Sequence, residues 1–179
     1  MEKSFFLSGI GGQGIQLLGK NLLYAVNEVG MNGSYFPTYT GTRRGGYSFC
    51  RVICTEGRVG SPELPKYDVA ALMDNDSYVT FKDIVKPEGI LIVNTDLIEE
   101  VESDKEIRVV KLPMMQCAQE MGNMFTFNLI LGGVIVELTH IVPNEILKEQ
   151  MLKKLARNEE MKKLYERAFE KGVELAKAV

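Results

Sequence analysis

Six residues near the start of the chain, Gly9-Ile10-Gly11-Gly12-Gln13-Gly14, set the class of fold. Residues 4–10 form a short apolar run that ends in these glycines, as a buried parallel strand would. Residues 14–29 follow with apolar side chains at steps of three and four, as in an amphipathic helix. A strand that turns through glycines into a helix is half of a βαβ unit. The start of the chain therefore predicts an α/β fold.

The spacing Gly-x-Gly-x-x-Gly in this turn also predicts an anion-binding site. Glycines let the backbone approach a phosphate closely, and the free N–H groups at the start of the helix hold its negative charge. The predicted phosphate turn consists of Gly9, Gly11, Gly12, Gln13 and Gly14. The alternative is a tight strand-to-helix turn whose small residues serve packing alone.

Strands continue to alternate with helices along the chain. Apolar runs predict strands over 47–55, 68–73, 90–93 and 107–112. Helical patterns cover 76–85, 114–121 and 125–139. Pro87 and Gly89 are expected to end the first of these helices. This alternation is typical of an α/β domain with a mostly parallel sheet flanked by helices.

Residues 143–179 are predicted to form a helical extension packed on a domain of residues 1–142. The extension is rich in charge, with nine Lys/Arg and seven Asp/Glu. Asn144 and Asn158 are predicted to cap two helices at their N-termini. We interpret these helices as packed on the body with a charged face in solvent; a partner-binding helix pair is the alternative.

A second glycine-rich segment, Thr40-Gly41-Thr42-Arg43-Arg44-Gly45-Gly46, lies on a long exposed loop predicted over 38–46, between two short strands. Its candidate ligand-binding residues are Thr42, Arg43, Arg44 and Gly45. Paired arginines bind phosphates well because the guanidinium group forms two parallel hydrogen bonds with phosphate oxygens. The alternatives are a solvated loop, or arginines that pair with carboxylates of a partner. Seven of the 17 glycines lie in this loop and in the first turn, so both segments are candidates for one multi-phosphate site.

Composition and missing motifs exclude several functions. A net charge of −3 argues against a general nucleic-acid or membrane-surface binder. No acidic residue lies between Glu28 and Glu56, where an NAD site needs one for the ribose, and no Gly-Lys-Ser/Thr closes a P-loop. The three cysteines form no C-x-x-C motif, and the single histidine has no obvious catalytic or ligand partners. The sequence therefore predicts no metal site and no catalytic residue. No membrane or targeting segment is predicted, so we expect a cytoplasmic protein.

The combination of motifs resembles the gamma subunit, or gamma domain, of 2-oxoacid:ferredoxin (acceptor) oxidoreductases. The resemblance covers most of the chain. The motifs that carry it are the Gly9–Gly14 turn, Arg44-Gly45-Gly46 after a loop with Tyr39, the strand from Asp68, Asn128-x-x-x-Gly132, and Ala168-Phe169-Glu170-x-Gly172. The resemblance implies a Rossmann-like fold.

The resemblance also implies a role within a larger enzyme. Such enzymes oxidatively decarboxylate a 2-oxoacid to an acyl-CoA and reduce ferredoxin. A gamma chain would help form the coenzyme A site, here through the Gly9–Gly14 turn and Thr42, Arg43, Arg44 and Gly45. Thiamine diphosphate, magnesium and iron–sulfur clusters would lie only on partner subunits: alpha, beta and, where the complex has one, delta. The isolated chain would be inactive and could form a homodimer.

Two alternatives from other classes stay open at this point. One is a stand-alone Rossmann-fold oxidoreductase that uses a nicotinamide or flavin nucleotide. The other is a purely structural assembly subunit whose glycine turn binds nothing. Among 2-oxoacids, a small separate gamma chain favours 2-oxoglutarate.

Overall fold

A computed structural model describes residues 1–39, 47–102 and 106–179, without the side chains of residues 47 and 154. Six strands form its sheet: β1 (Glu2–Ile10), β2 (Asn32–Tyr39), β3 (Tyr47–Thr55), β4 (Tyr67–Leu72), β5 (Val85–Asn94) and β6 (Arg108–Leu112). Six α-helices surround it: α1 (Ile15–Glu28), α2 (Asn75–Phe81), α3 (Met114–Glu120), α4 (Phe127–Thr139), α5 (Asn144–Leu155) and α6 (Glu159–Lys177). Short 3₁₀ turns cover Lys82–Ile84 and Met124–Thr126.

The strands form one sheet in the order β2-β3-β1-β4-β5-β6. The pairs β1/β4, β4/β5 and β5/β6 are parallel, and β3 runs antiparallel to both of its neighbours. The predicted α/β fold with a mostly parallel sheet is therefore confirmed. The seven residues between β2 and β3 are too few for the crossover of a dozen or more that a parallel pair requires. β3 therefore folds back antiparallel to β2, and it lies between β2 and β1 in the sheet.

The core lies on both faces of the sheet, because alternate residues of each strand point to opposite sides. Phe5 and Leu7 of β1 belong to the larger cluster, which includes residues of α1, α3, α4, α5 and α6. Phe6 belongs to the smaller cluster, where its ring lies 5.1 Å from that of Phe49 and 4.8 Å from that of Phe81. The larger cluster holds α1 against the sheet and so positions the glycine turn.

Helix α4 is buried on nearly all sides and is covered by α6. Two glycines allow the close approach: a Cβ at Gly133 would collide with the Phe169 carbonyl oxygen, and one at Gly172 with the Ile130 carbonyl oxygen. At the start of α6, Asn158 accepts a hydrogen bond from the Met161 N–H at 2.8 Å, which confirms the predicted cap. Within the described ranges, no helix has both the length and the apolarity to cross a membrane.

The helix predicted over 76–85 is present as α2 and the 3₁₀ turn over Lys82–Ile84. Its predicted stop was wrong, because Pro87 and Gly89 lie inside β5 rather than before it. They lie where the β4/β5 register shifts, between the Tyr67–Val85 and Val69–Ile90 pairs. An irregular stretch of strand tolerates proline, which has no N–H for the ladder.

Asn144 is not a helix cap either. The capping position of α5 is Pro143, and Asn144 is the first helical residue. The Asn144 side chain instead donates a hydrogen bond to Glu137 Oε2 at 2.8 Å, which links α5 to the end of α4. The hydrogen-bonding partner on the preceding helix explains why this asparagine does not cap its own helix.

Candidate functional site

The glycine turn joins the end of β1 at Ile10 to the start of α1 at Ile15. Gly12 and Gly14 have φ values of +94° and +76°, in the left-handed region that favours glycine. Gly14 is also the capping residue of α1, and among the described residues no side chain caps the helix there. No described side chain therefore occupies the N–H groups of the first turn of α1, and the helix dipole adds positive potential at this point.

Gln13 folds back under the turn. Its Oε1 accepts a hydrogen bond from the Ile10 N–H at 3.0 Å, and its side chain is only 6% exposed. A Cβ at Gly9 would collide with this oxygen, so Gly9 leaves room for the Gln13 side chain in its observed position. By contrast, a Cβ at Gly11 or Gly12 would meet nothing within 4 Å. The open side of the turn is therefore formed by Gly11 and Gly12.

Asn128 of α4 lies far from the glycine turn in the sequence but next to it in the structure. A Cβ at Gly14 would lie 2.6 Å from Asn128 Nδ2, so the side-chain amide packs directly against the turn. Asn128 is only 4% exposed. Asn128 belongs to a motif of the family resemblance but was not among the predicted site residues. The available signal was a lone amide among the apolar residues of α4.

Both amides contain a buried polar atom without a hydrogen-bond partner among the described residues. These atoms are Gln13 Nε2 and Asn128 Oδ1. An unsatisfied buried polar group costs about 1–3 kcal/mol. The site therefore contains one donor and one acceptor that the described part of the chain does not satisfy.

A cavity of about 480 Å³ opens at this turn. Its lining contains no carboxylate among the described residues. An apolar rim faces the turn, with Tyr39 and Phe125 exposed by 69% and 68% and Leu155 beside them. Another lining residue, Gln16, is already engaged: its Nε2 donates to the Phe49 carbonyl oxygen at 2.9 Å and its Oε1 accepts from the Tyr35 hydroxyl at 2.8 Å. N–H donors beside an apolar rim suit a phosphate-bearing organic molecule.

A larger cavity, of about 640 Å³, lies beside α2 and away from the turn. Its lining includes Glu99, Glu100 and Glu102, with Lys82 held by Glu102 at 2.5 Å. Three carboxylates against one paired ammonium group would repel a phosphate. We therefore take the cavity at the glycine turn as the candidate site, although it is the smaller one.

The predicted residues Thr42, Arg43, Arg44 and Gly45 lie outside the described residues. The two ends of their segment are described, however. Tyr47, which follows the segment, pairs with Ile10 of the glycine turn, and Tyr39, which precedes it, pairs with Ser48. Both ends therefore lie beside the turn.

The cysteines serve the core. Cys50 and Cys54 lie on one face of β3 with 0% exposure, and burial raises the pKa of each thiol to about 12. In the described ranges, no three His, Cys, Asp or Glu side chains come together as metal ligands. The cysteines pack as apolar side chains in the core and are not arranged to ligate an iron–sulfur cluster.

Comparison with known proteins identifies the family. A family model described as "Pyruvate ferredoxin/flavodoxin oxidoreductase" matches residues 4–175. The chain belongs to this family. The resemblance to gamma subunits of 2-oxoacid:ferredoxin oxidoreductases is confirmed, and the chain is a subunit of this class of oxidoreductase.

Curated relatives of two lengths match. The chain is 32% identical to "2-oxoglutarate synthase subunit KorC" of Methanocaldococcus jannaschii, over 99% of this chain and 95% of the relative. It is 30% identical to "Ketoisovalerate oxidoreductase subunit VorA" of Methanothermobacter thermautotrophicus, over 74% of this chain but only 27% of the relative. The same unit therefore occurs as a separate chain in one relative and as part of a longer chain in the other.

Solved structures share the fold. The 2-oxoglutarate:ferredoxin oxidoreductase of Magnetococcus marinus, determined with 2-oxoglutarate, coenzyme A and succinyl-CoA bound, matches with a TM-score of 0.90 and 26% identity. The match covers 99% of this chain and 31% of that one. A keto/oxoacid ferredoxin oxidoreductase gamma subunit of Geobacter sulfurreducens matches with a TM-score of 0.87 and 24% identity, over 99% of this chain and 98% of that chain. The family match, the KorC relative and the Magnetococcus structure favour the subunit interpretation over a stand-alone nucleotide-dependent oxidoreductase.

Proposed function

We propose that this chain forms part of the coenzyme A site of a 2-oxoacid:ferredoxin oxidoreductase that acts on 2-oxoglutarate. The cavity at the glycine turn carries the proposal, because its described lining holds no carboxylate and combines helix N–H groups with an apolar rim. The relatives named for 2-oxoglutarate and the Magnetococcus structure with coenzyme A support it. In the complete enzyme, coenzyme A accepts the acyl group that oxidative decarboxylation of the 2-oxoacid produces.

The cavity suits coenzyme A in its chemistry and has room for part of the molecule. Its phosphates need donors and positive potential, which the start of α1 provides. Its organic parts need apolar contacts, which Tyr39 and Phe125 offer. A volume of about 480 Å³ lies in the usual range for small-molecule sites but is too small to enclose all of coenzyme A. We therefore place only part of the molecule here and the rest against a partner subunit.

Arg43 and Arg44 would supply the positive charge that the described lining lacks. Arg43 is four residues from both Tyr39 and Tyr47, and an extended chain spans at most about 3.6 Å per residue. Four residues of chain span at most about 14 Å, measured from either of these tyrosines, which border the glycine turn. An arginine side chain extends that reach, so contact with a phosphate at the turn is geometrically allowed.

The remaining chemistry belongs to partner subunits in this proposal. Thiamine diphosphate, magnesium and the iron–sulfur clusters would be held by alpha, beta and, where present, delta subunits, through which ferredoxin is reduced. The scattered positions of Cys50, Cys54 and Cys117 support this division, because they offer no cluster-binding group. We also propose that the assembled enzyme works in the cytoplasm.

The test uses the enzyme assembled with its partner subunits. Arg43→Ala and Arg44→Ala are each expected to raise the KM for coenzyme A about five- to tenfold, because each removes a charged hydrogen bond to phosphate. The KM for 2-oxoglutarate should not change. Arg58→Ala is the matched control, since Arg58 is exposed and follows β3 at the other end of that strand.

Unchanged KM values for coenzyme A in an intact complex would contradict the ligand role of the arginines. A purely structural role makes a different prediction for the turn. Gly11→Ala and Gly14→Ala would then weaken subunit association and leave coenzyme A affinity as it is. Sedimentation of the complex, together with a coenzyme A titration, separates the two roles.

A further inference from the structure

Two side-chain amides pack against the glycines of the turn. Gln13 packs against Gly9, and Asn128 packs against Gly14; a Cβ at either glycine would overlap the amide. The first and last glycines of the Gly-x-Gly-x-x-Gly pattern therefore leave room for amides, not for a ligand. The two amides come from α4 and from the turn itself, and both line the same cavity.

Hydrogen bonding fixes the orientation of the Gln13 amide. The Ile10 N–H is a donor, so the atom facing it at 3.0 Å must be the oxygen Oε1. The Nε2 group is then the free end of the amide, and no described residue accepts its hydrogen bonds. Gln13 Nε2 is thus a buried donor without an acceptor, in a residue that lines the cavity and whose orientation is set by Ile10.

Asn128 offers the complementary group. Its Nδ2 lies against Gly14, and its Oδ1 is the buried atom without a partner. The neighbouring α4 residues Phe127 and Leu129 are fully buried and apolar. An amide used only for packing would be replaced by an apolar side chain at no loss, because neither orphaned atom forms a stabilising bond.

We propose that Gln13 and Asn128 bind the ligand directly as a donor–acceptor pair. Gln13 Nε2 donates to a phosphate oxygen, and Asn128 Oδ1 accepts from a hydroxyl or amide N–H in the organic part of the same molecule. The ligand class is a phosphate ester that carries a hydrogen-bond donor near its phosphate. The inference rests on the proposed function for coenzyme A as the occupant, although the pair itself defines only this wider class.

Two substitutions separate the donor from the acceptor. Gln13→Glu keeps the oxygen that accepts from Ile10 and replaces the free donor by a negatively charged oxygen. Asn128→Leu removes the acceptor at similar size; Asn128→Ala takes its place if the leucine prevents assembly. Gln119→Glu is the matched control, since it adds the same charge on an exposed face of α3, outside the cavity.

Binding is measured by calorimetry on the assembled complex with three probes: coenzyme A, ADP and inorganic pyrophosphate. Gln13→Glu is expected to weaken all three at least tenfold, because every probe presents phosphate oxygens. Asn128→Leu is expected to weaken coenzyme A and ADP about fivefold and pyrophosphate less than twofold, because pyrophosphate has no organic donor. The control should leave all three dissociation constants unchanged.

The outcomes distinguish this inference from the proposed function. If wild type binds coenzyme A and the variants bind every probe equally well, the amide pair is overturned and the proposed function stands. If wild type binds ADP and pyrophosphate with the expected variant pattern but not coenzyme A, the pair stands and the proposed function is overturned. Binding of none of the probes overturns both. An equal effect of Asn128→Leu on ADP and pyrophosphate overturns the acceptor role of Asn128.

Discussion

Ser4 donates two hydrogen bonds to one carboxylate oxygen of Asp68, from its backbone N–H at 2.7 Å and from its hydroxyl at 2.6 Å. Lys86 Nζ lies 3.0 Å from the other oxygen. These contacts join β1, β4 and β5 near the starts of the strands, at the end of the sheet opposite to the glycine turn. Asp68 therefore stabilises the sheet rather than forming part of the site.

The Asp68 contacts predict a pH dependence of stability. Burial alone would raise the pKa of this carboxyl group, but the hydrogen bonds from Ser4 and Lys86 outweigh burial and hold the pKa below its ordinary value. The stabilisation is fully present above the unfolded-state pKa of about 3.9 and is lost as the pH falls through the lower folded-state pKa. Asp68→Asn is expected to lower the free energy of unfolding by about 1–2 kcal/mol at pH 7.

Urea unfolding at a series of pH values checks this prediction. In Asp68→Asn, the fall in stability below about pH 4 should be shallower than in wild type. Asp83→Asn serves as the control, because Asp83 is exposed. Parallel pH profiles for wild type and Asp68→Asn would show that the Ser4 contacts contribute no linkage.

A second prediction concerns the contact of α4 with α6. Gly172→Ala would ordinarily stabilise a helix by about 0.5–1 kcal/mol. Here its Cβ would collide with the Ile130 carbonyl oxygen, and neither backbone can move without shifting a helix. We expect a net loss of about 1–3 kcal/mol, the usual cost of overpacking. Arg167→Ala, at an exposed site of the same helix, should change the unfolding free energy by less than about 0.5 kcal/mol in the same urea titration. A gain for Gly172→Ala would mean that the helices separate easily.

Asn21 predicts a stabilising substitution. Its side chain is fully buried in α1, and neither amide atom has a hydrogen-bond partner among the described residues. Asn21→Leu keeps the size of the side chain and removes the unsatisfied groups, so we expect a gain of about 1–2 kcal/mol in thermal and urea unfolding. Asn158→Leu should show the opposite sign, a loss of about 1 kcal/mol, because it removes a helix cap. A loss in Asn21→Leu would reveal a partner for this amide.

The buried thiols predict slow chemical modification. Burial raises the pKa of Cys50 and Cys54 to about 12, and thiolate is the reactive form. At pH 8 and without denaturant, a thiol reagent should leave both unlabelled for as long as the protein stays folded. The same reagent in urea should label all three cysteines, as mass spectrometry of peptides would show. Rapid labelling of Cys50 in the native protein would contradict its burial beneath α1.

Local patterns predicted the strands, the glycine turn and most helices, because apolar spacing and glycine geometry act over a few neighbouring residues. They did not predict β3 between β1 and β2, since strand order depends on connection length and long-range pairing. They placed Pro87 outside a strand because the register shift depends on the partner strand. Asn128 escaped prediction as a site residue for a related reason. Only the packing of α4 against the turn brings it beside Gly14.

The packing of α6 over α4 also affects the order in which parts of the domain fold during synthesis. Asn128 lies on a helix whose apolar surface is closed only when Gly172 packs over Ile130. A ribosome adds the roughly 45 residues between Asn128 and Gly172 in about 2–9 s. During that interval the nascent sheet and glycine turn can form while α4 still lacks its final cover. We therefore expect the cavity at the glycine turn, which Asn128 lines, to be among the last parts of the domain to mature.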